Sequence, residues 1–151
     1  MPNTNWNLLN KIKLGKYAEQ FCKMEFSSYG FDVYSNDVDD HGVDFIAKSP
    51  NGIFFEIQVK SIRLDKNHSA DISKDKMYLN FNNFLICFVI FKNNVMPDIF
   101  LLTPSLWNED NSNPLSKIFH TNPSNYSIRP YANYMDNLLE FKFDKQIYKF
   151  M

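Results

Sequence analysis

Residues 42–61 have the sequence GVDFIAKSPNGIFFEIQVKS, which predicts an antiparallel β-hairpin. Pro50-Asn51-Gly52 is typical of a three-residue hairpin turn, because proline fixes φ at the first turning position and glycine accepts the left-handed third position. Apolar side chains occur on both sides of this turn, and after it they alternate with other residues along 53–59. The stretch therefore predicts the second and third strands of a sheet.

The turn also predicts the register of the hairpin. If Ser49 faces Ile53, the antiparallel pairs that share one face are Lys48–Phe54, Ile46–Glu56, Asp44–Gln58 and Gly42–Lys60. Directly opposed Cβ atoms lie about 5 Å apart. We therefore expect Asp44, Gln58 and Lys60 to cluster, with Gly42 leaving open space beside the lysine.

Such a cluster has a defined chemistry. A carboxylate and an amide oxygen can share a hard divalent cation such as Mg²⁺, which prefers oxygen ligands. An adjacent lysine can orient an attacking water and offset charge that builds on a phosphate. The alternative is a polar sheet face on which Lys60 and Asp44 form an ion pair.

The segment before the hairpin predicts a helix and a strand. Apolar side chains have helical spacing within 11–29, and Gly30 follows where a helix commonly ends. Phe31–Tyr34 predicts the first strand, and an acidic turn at 37–40 leads into the hairpin.

The segment after the hairpin predicts more strands and a less regular end. Residues 63–75 are polar and predict a loop, with strands at 77–81, 84–91 and 99–102. The run 84–91 has no polar alternation, which indicates a strand covered on both faces, and hence a mixed α/β fold. Beyond it we expect a short helix from Pro104, an irregular segment at 108–125 and a terminal helix at 144–150.

Length and composition exclude several classes of protein. The chain has 151 residues, which fits one domain, 1–151, with a core at about 11–103 and an extension at 104–151. Its net charge of −1 excludes a basic protein that coats nucleic acid. No apolar run is long enough to span a membrane, and two cysteines form no disulfide framework. We therefore expect a soluble cytoplasmic protein that makes no membrane contact, with Cys22 and Cys87 as buried thiols.

Glu19 is a further candidate residue. On the predicted first helix it lies on one stripe with Gly15, Cys22 and Phe26. A carboxylate on a stripe of small and apolar residues indicates the inner edge of a cleft. The alternative is a boundary residue at the helix surface.

Several basic residues surround the predicted cluster on its loop side, namely Lys60, Arg63, Lys66, Lys74 and Lys76. They can hold phosphates by charge. Three aspartates lie between these basic residues in the sequence, namely Asp65, Asp71 and Asp75. An ordinary solvated loop therefore explains the pattern equally well.

The hairpin resembles the active-site hairpin of the PD-(D/E)xK nuclease superfamily, which includes restriction endonucleases and Holliday-junction resolvases. The residues that carry this resemblance are Gly42-Val43-Asp44 and Glu56-Ile57-Gln58-Val59-Lys60-Ser61. Gly15-Lys16-Tyr17-Ala18-Glu19 and Gly30-Phe31-Asp32-Val33 are similar to the first helix and strand of the resolvase and Mrr-like branches. The chain departs from the usual motif at Val43, where a proline is common, and at Gln58, which replaces an acid and makes this a QxK variant.

The resemblance implies an α-β-β-β-α-β core, with a central mixed sheet flanked by helices, and metal-dependent phosphodiester hydrolysis. By motif position, Asp44 is the metal-binding acid, Gln58 the second ligand, Lys60 the catalytic lysine and Glu19 the acid that the first helix adds to the metal site. The implied cofactor is Mg²⁺, with Mn²⁺ as a substitute.

Two functions follow from these observations. One is a divalent-metal-dependent nuclease, acting on DNA in preference to RNA. The other is a non-catalytic module that binds nucleic acid or protein on a nuclease-like scaffold, which the near-neutral charge and Gln58 favour. The short chain has no separate target-recognition domain, so a homodimer or a larger protein complex would supply the missing contacts.

Overall fold

The first long helix begins and ends where the sequence predicts. The computed structural model describes residues 1–37, 42–66, 68–108 and 115–151. Helix α1 spans Lys11–Ser28, and the Asn10 side chain caps its start by accepting from the Lys13 backbone N–H at 2.9 Å. Gly30 follows the helix with φ of 83°, a left-handed conformation that glycine adopts without strain.

Strands form two sheets. In chain order the strands are β1 Asp32–Ser35, β2 Phe45–Lys48, β3 Phe54–Arg63, β4 Ala70–Ser73, β5 Phe84–Phe91, β6 Asp98–Leu102, β7 Phe119–Thr121 and β8 Asn125–Ile128. The larger sheet has the order β1-β2-β3-β5-β6, in which β3 and β5 are parallel and the other neighbours antiparallel. The smaller sheet has the order β4-β8-β7 and is antiparallel. The remaining helical segments are short: α2 Leu115–Ile118, α3 Met135–Leu138, α4 Phe143–Gln146 and five 3₁₀ turns at Trp6–Leu8, Pro104–Asn108, Ala132–Tyr134, Leu139–Phe141 and Ile147–Phe150.

The hairpin has the predicted register over β2, whereas the predicted pairs Asp44–Gln58 and Gly42–Lys60 lie beyond its last regular pair, Phe45–Ile57. Strand β2 pairs with β3 so that Ile46 faces Glu56 and Lys48 faces Phe54. The turn closes through a bond from the Gly52 N–H to the Ser49 carbonyl at 2.8 Å. The local turn chemistry therefore sets which side chains of β3 share a face.

Strand β5 is buried on both of its faces, as its apolar run predicts. All eight residues of β5 are buried. Helix α1 and the C-terminal helical segment cover one face, where Leu85 and Cys87 pack with Cys22, Phe26 and Phe143. Burial raises the pKa of the Cys22 thiol, and the neighbouring Cys87 raises it further, so Cys22 is a neutral thiol.

The second face of β5 packs against the smaller sheet and the short helices. This second core joins side chains from β5, β4, β8, the turn at Pro104–Asn108 and α3, namely Phe88, Ile72, Ile128, Trp107 and Leu138. Gln58 and Lys60 lie beside Ile86 and Phe88 in the parallel ladder, so they also face the smaller sheet. The smaller sheet thus lies on the same side of β3 as Gln58 and Lys60.

Several predictions for the second half of the chain are wrong. Residues 63–75, predicted as a loop, contain β4, and 77–81, predicted as a strand, form turns. The segment predicted as irregular, 108–125, contains α2 and β7 and ends at the start of β8. Residues 38–41 and 109–114, which cover most of the predicted acidic turn and part of that segment, lie outside the described residues.

The predicted fold class is confirmed: a mixed sheet of five strands is flanked by helices. One element of the expected order differs, because the described residues that cross from β3 to β5, 64–66 and 68–83, contain β4 and turns and no helix. The terminal helical segment is present as α4 and the 3₁₀ turn that follows it. Within the described part of the chain, no helix is long and apolar enough to cross a membrane.

Candidate active site

The face of β3 that carries Gln58 and Lys60 borders a cavity of about 340 Å³, which residues of the hairpin and of the smaller sheet line together. Its walls come from the entry to β2, from β3 and β4, and from the start of β8. The lining residues are Gly42, Asp44, Gln58, Val59, Lys60, Asp71, Ser73, Lys76 and Asn125. The structure thus brings together three of the four predicted site residues, Asp44, Gln58 and Lys60.

Asp44 is held at the point where β2 leaves the ladder. The regular pairing ends at Phe45–Ile57, one residue after Asp44. The Asp44 N–H donates to the Ile57 carbonyl at 2.8 Å, and its Oδ2 accepts from the Val59 N–H at 2.6 Å. A side chain thus takes the place of a strand-to-strand bond, and this fixes the carboxylate at the cavity wall.

Gln58 lines the same cavity and has a buried oxygen without a hydrogen-bond partner in the described part of the chain. The residue is 6% exposed, and within the described ranges its Oε1 has no hydrogen-bond partner. Burying an unpaired amide oxygen costs about 1–3 kcal/mol, so in a native structure such an oxygen usually has a partner, which is a protein group, an ordered water or an ion. A hard cation fits this observation, because it binds carbonyl-type oxygens and would satisfy Oε1.

Gly42 is required by a close approach, which corrects the expected open space beside it. Its φ of 74° is in the left-handed region. A Cβ on Gly42 would lie 2.8 Å from Cδ of Lys76 and 3.3 Å from Nε2 of Gln58. Lys76 therefore fills the space that the sequence assigned to the surroundings of Lys60.

Lys60 lies between two cavities. It is half-buried and also lines a second cavity of about 450 Å³ that runs along the start of α1. Two exposed lysines, Lys11 and Lys66, line that second cavity as well. Lys60 therefore links the Asp44 cavity to a basic cleft.

Arg63, another of the predicted loop-side cations, has partners both near and far along the chain. It is 8% exposed, donates to Asn7 Oδ1, and pairs with Asp65 Oδ2 at 3.1 Å. The hydrogen bond from Arg63 lowers the pKa of the Asp65 carboxyl. His68 is exposed, and it is not among the described residues that line either cavity.

The structure does not bring Glu19 into the cavity. Its side chain is 18% exposed, and its carboxylate oxygens lie 3.1 Å from Lys23 Nζ and 3.8 Å from Lys16 Nζ. Lys23 in turn lies 5.7 Å from the ring centroid of Phe45, the residue after Asp44. Glu19 is thus near the hairpin, yet it is not among the described residues that line either cavity.

Glu56, two residues before Gln58 on β3, lines a different region. It lies in two hollows of about 650 and 700 Å³ at the turn end of the hairpin, with Ile46, Phe81 and other side chains. It is not among the described residues around the Asp44 cavity.

Sequence reasoning missed Asp71 as a candidate site residue because it placed Asp71 in a solvated loop, and it named Lys76 only as one of the cations on the loop side. Strand β4 carries Asp71 to the cavity wall, where its Oδ1 accepts from Ser127 Oγ at 2.6 Å. The alternation of buried and exposed residues along 70–73 was the available signal, but four residues are too few to distinguish a strand from a loop.

The described residues contain no group of three or more His, Cys, Asp or Glu side chains that could hold a metal. A cation in the Asp44 cavity would therefore depend on Asp44, on the amide of Gln58 and on at most one more acid. The arrangement offers a hard cation a carboxylate and an amide oxygen, and it can place lysine ammonium groups beside a phosphate.

No protein-family model and no curated protein matches the chain at a significant level. Solved structures do match. One is a bacterial homing endonuclease, I-Ssp6803I, with a TM-score of 0.51 and 16% identity over 80% of this chain and 78% of that one. Another is Hjc, a Holliday junction resolvase from the archaeal hyperthermophile Archaeoglobus fulgidus, with a TM-score of 0.50 and 12% identity over 76% of this chain and 83% of that one. At this identity the likeness concerns the fold, and the chain has the restriction-endonuclease-like fold of these two nucleases.

Proposed function

We propose that the chain is a divalent-metal-dependent nuclease that hydrolyses phosphodiester bonds, with DNA rather than RNA as its substrate. The observation that carries the proposal is the buried, unpartnered Oε1 of Gln58, a residue that lines one cavity together with Asp44 and Lys60. The two structural neighbours are nucleases, and the motif resemblance gives the same three residues their roles.

The residues present fit a hard cation. Asp44 and Gln58 would hold Mg²⁺, or Mn²⁺ in its place, through a carboxylate and an amide oxygen. The ion, when bound, supplies Lewis-acid activation of the phosphate and lowers the pKa of its water. Asp44 is already fixed by its bond from the Val59 N–H, so little side-chain entropy is lost on binding.

Lys60 acts on the phosphate and on the water. Its ammonium group offsets negative charge on the phosphate as the transition state forms, and it can orient the attacking water. The basic cleft on the other side of Lys60, lined by Lys11 and Lys66, would carry the neighbouring phosphates by charge. Glu19 remains a proposed ligand on the basis of the resemblance alone. To bind the ion, its carboxylate would have to give up its ion pairs with Lys16 and Lys23.

A second candidate function is a nuclease-like module that binds nucleic acid or protein without cutting. The neutral Gln58 favours it, because an amide attracts a divalent ion less strongly than a carboxylate does. With either function, the two free thiols of Cys22 and Cys87 are consistent with the reducing environment of the cytoplasm.

A homodimer or a larger complex would extend the substrate-binding surface, whether the protein cleaves nucleic acid or only binds it.

The test is cleavage of duplex, branched and single-stranded DNA, with RNA in parallel, as Mg²⁺ or Mn²⁺ is titrated. We expect metal-dependent cleavage by the wild type and a loss of about 10²- to 10⁴-fold in rate for Lys60→Ala, with an unchanged melting temperature. Lys48→Ala is the matched control, since Lys48 lies on the same hairpin against Phe54, 5.5 Å from its ring centroid. Wild-type rates in Lys60→Ala would show that Lys60 is not catalytic, and binding without cleavage at any metal concentration would favour the module.

A further inference from the structure

We propose that Asp71 is a metal ligand of the same site and supplies the carboxylate that Gln58 lacks. The inference rests on the proposed function and adds to it an acid that lies outside the hairpin motif. It assigns the smaller sheet a chemical role in addition to its place in the second core.

The topology places Asp71 opposite the hairpin. Strand β4 pairs with β8 so that Asp71 faces Ser127, and alternate residues Ala70 and Ile72 are buried in the second core. Because successive side chains of a strand point to opposite faces, Asp71 lies on the face of β4 opposite to Ala70 and Ile72, where it lines the Asp44 cavity. Burial of Ala70 and Ile72 thus fixes the direction in which the carboxylate points.

A buried hydroxyl holds this carboxylate in place. Ser127 is 1% exposed, and its Oγ donates to Asp71 Oδ1 at 2.6 Å. A carboxylate has about four lone-pair sites, so one bond from a serine leaves acceptor capacity for a cation. Ligands oriented by such hydrogen bonds are typical of metal sites, in which the outer partner sets the position of the donor.

The unpartnered oxygen of Gln58 is independent evidence that a ligand belongs in this cavity. Gln58 is more than nine-tenths buried, it lines the same cavity as Asp71, and its Oε1 has no hydrogen-bond partner among the described residues. The lone pairs of Oε1 can be satisfied only by a donor or by a cation. Asp44 and Asp71 supply the negative charge that makes a cation the better occupant.

The charges around the cavity are consistent with this assignment. Asp44 and Asp71 give the cavity two carboxylate groups as oxygen donors for a divalent cation, whereas Asp44 alone gives one. Lys60 and Lys76 line the same cavity and can face the phosphodiester that enters with the substrate. In this arrangement Asp71 on β4 supplies the carboxylate that Gln58, an amide, does not provide on β3.

The test measures Mn²⁺ binding by isothermal titration calorimetry in the absence of nucleic acid, on the full chain and its variants. We expect Asp71→Asn to weaken Mn²⁺ binding about 10-fold or more and Ser127→Ala to weaken it by a smaller factor. Asp32→Asn, at an exposed position on β1, removes the same charge away from the cavity and should leave binding unchanged. Melting temperatures confirm that each variant is folded.

A double variant distinguishes a ligand from a merely structural acid. If Asp71 offsets the charge missing at Gln58, then Gln58→Glu should restore much of the affinity that Asp71→Asn loses. Unchanged affinity in Asp71→Asn, alongside lost binding in Asp44→Asn, would overturn this inference and leave the proposed function standing. No Mn²⁺ binding by the wild type would overturn both.

Discussion

The hairpin at 42–61 and the smaller sheet supply opposite walls of one cavity, and they differ in how far apart their partners lie in sequence. In the hairpin, Asp44 and the Val59 N–H that it binds are 15 residues apart. In the smaller sheet, Asp71 and Ser127 are 56 residues apart. A turn of fixed chemistry determines the first pairing, whereas only tertiary packing determines the second. Local sequence therefore determines the hairpin wall of the candidate site, whereas contacts between distant parts of the chain determine the wall that carries Asp71.

Because the hairpin depends on its own turn, a substitution that destabilises the smaller sheet should leave the hairpin folded. Ile72 is fully buried on β4, next to Asp71, so Ile72→Ala should lower the free energy of unfolding by about 2–5 kcal/mol. Because Ile72 anchors the strand that carries Asp71, Mn²⁺ affinity should also fall. Chemical denaturation and calorimetric titration measure the two effects.

Ile53→Ala is the matched control for this prediction. Ile53 follows the hairpin turn and is 46% exposed, so its truncation should cost far less stability and leave Mn²⁺ binding unchanged. A large loss of Mn²⁺ affinity in Ile53→Ala and none in Ile72→Ala would mean that the metal site depends on the hairpin alone.

Sequence reasoning was accurate wherever a local rule decided the structure. The spacing of apolar residues gave helix α1, the Pro50-Asn51-Gly52 turn gave the register, and the apolar run gave the doubly buried β5. The face that Gln58 and Lys60 share follows from these rules, and so does its separation from the face of Phe55.

Sequence reasoning was wrong where distant residues decide. Strand β4 has four residues, too few for periodicity to indicate a strand, and its partner β8 is more than 50 residues away. The segment at 77–81 has the composition of a strand, but Tyr78 and Phe81 form exposed turns beside the hairpin. Lys76 occupies the space beside Gly42, which no pattern in either segment indicates. These failures explain why Asp71 was not predicted as a site residue.

A smaller effect is expected from restoring the acid on the hairpin. Gln58→Glu adds a full negative charge where the amide now supplies a dipole, so Mn²⁺ affinity should rise by about tenfold. Gln58→Ala removes the oxygen and should lower the affinity. Calorimetry on both variants, with cleavage at limiting metal, checks the direction.

The Gln58→Glu variant also bears on the comparison of the two walls. The new carboxylate is buried, so without a cation it should destabilise the fold, and added Mn²⁺ should restore the melting temperature. A melting temperature that is normal without metal and unaffected by Mn²⁺ would show that position 58 does not face an ion.

The smallest effect is expected at Glu56, two positions before Gln58 on the same face of β3. Two residues along a strand correspond to about 6.6 Å, and four separate Glu56 from Lys60. Glu56 lines the hollows near Phe81 and not the cavity of Asp44, so its charge acts on the site only at long range. Glu56→Gln should therefore change Mn²⁺ affinity and cleavage by less than about threefold, well within what screened charges at this separation produce. Calorimetry and metal-titrated cleavage, run beside Gln58→Ala, give the comparison. If Glu56→Gln lowered Mn²⁺ affinity and cleavage more than Gln58→Ala does, the metal would bind nearer the turn end of the hairpin. That result would refute the assignment of Gln58 and Asp71 as ligands.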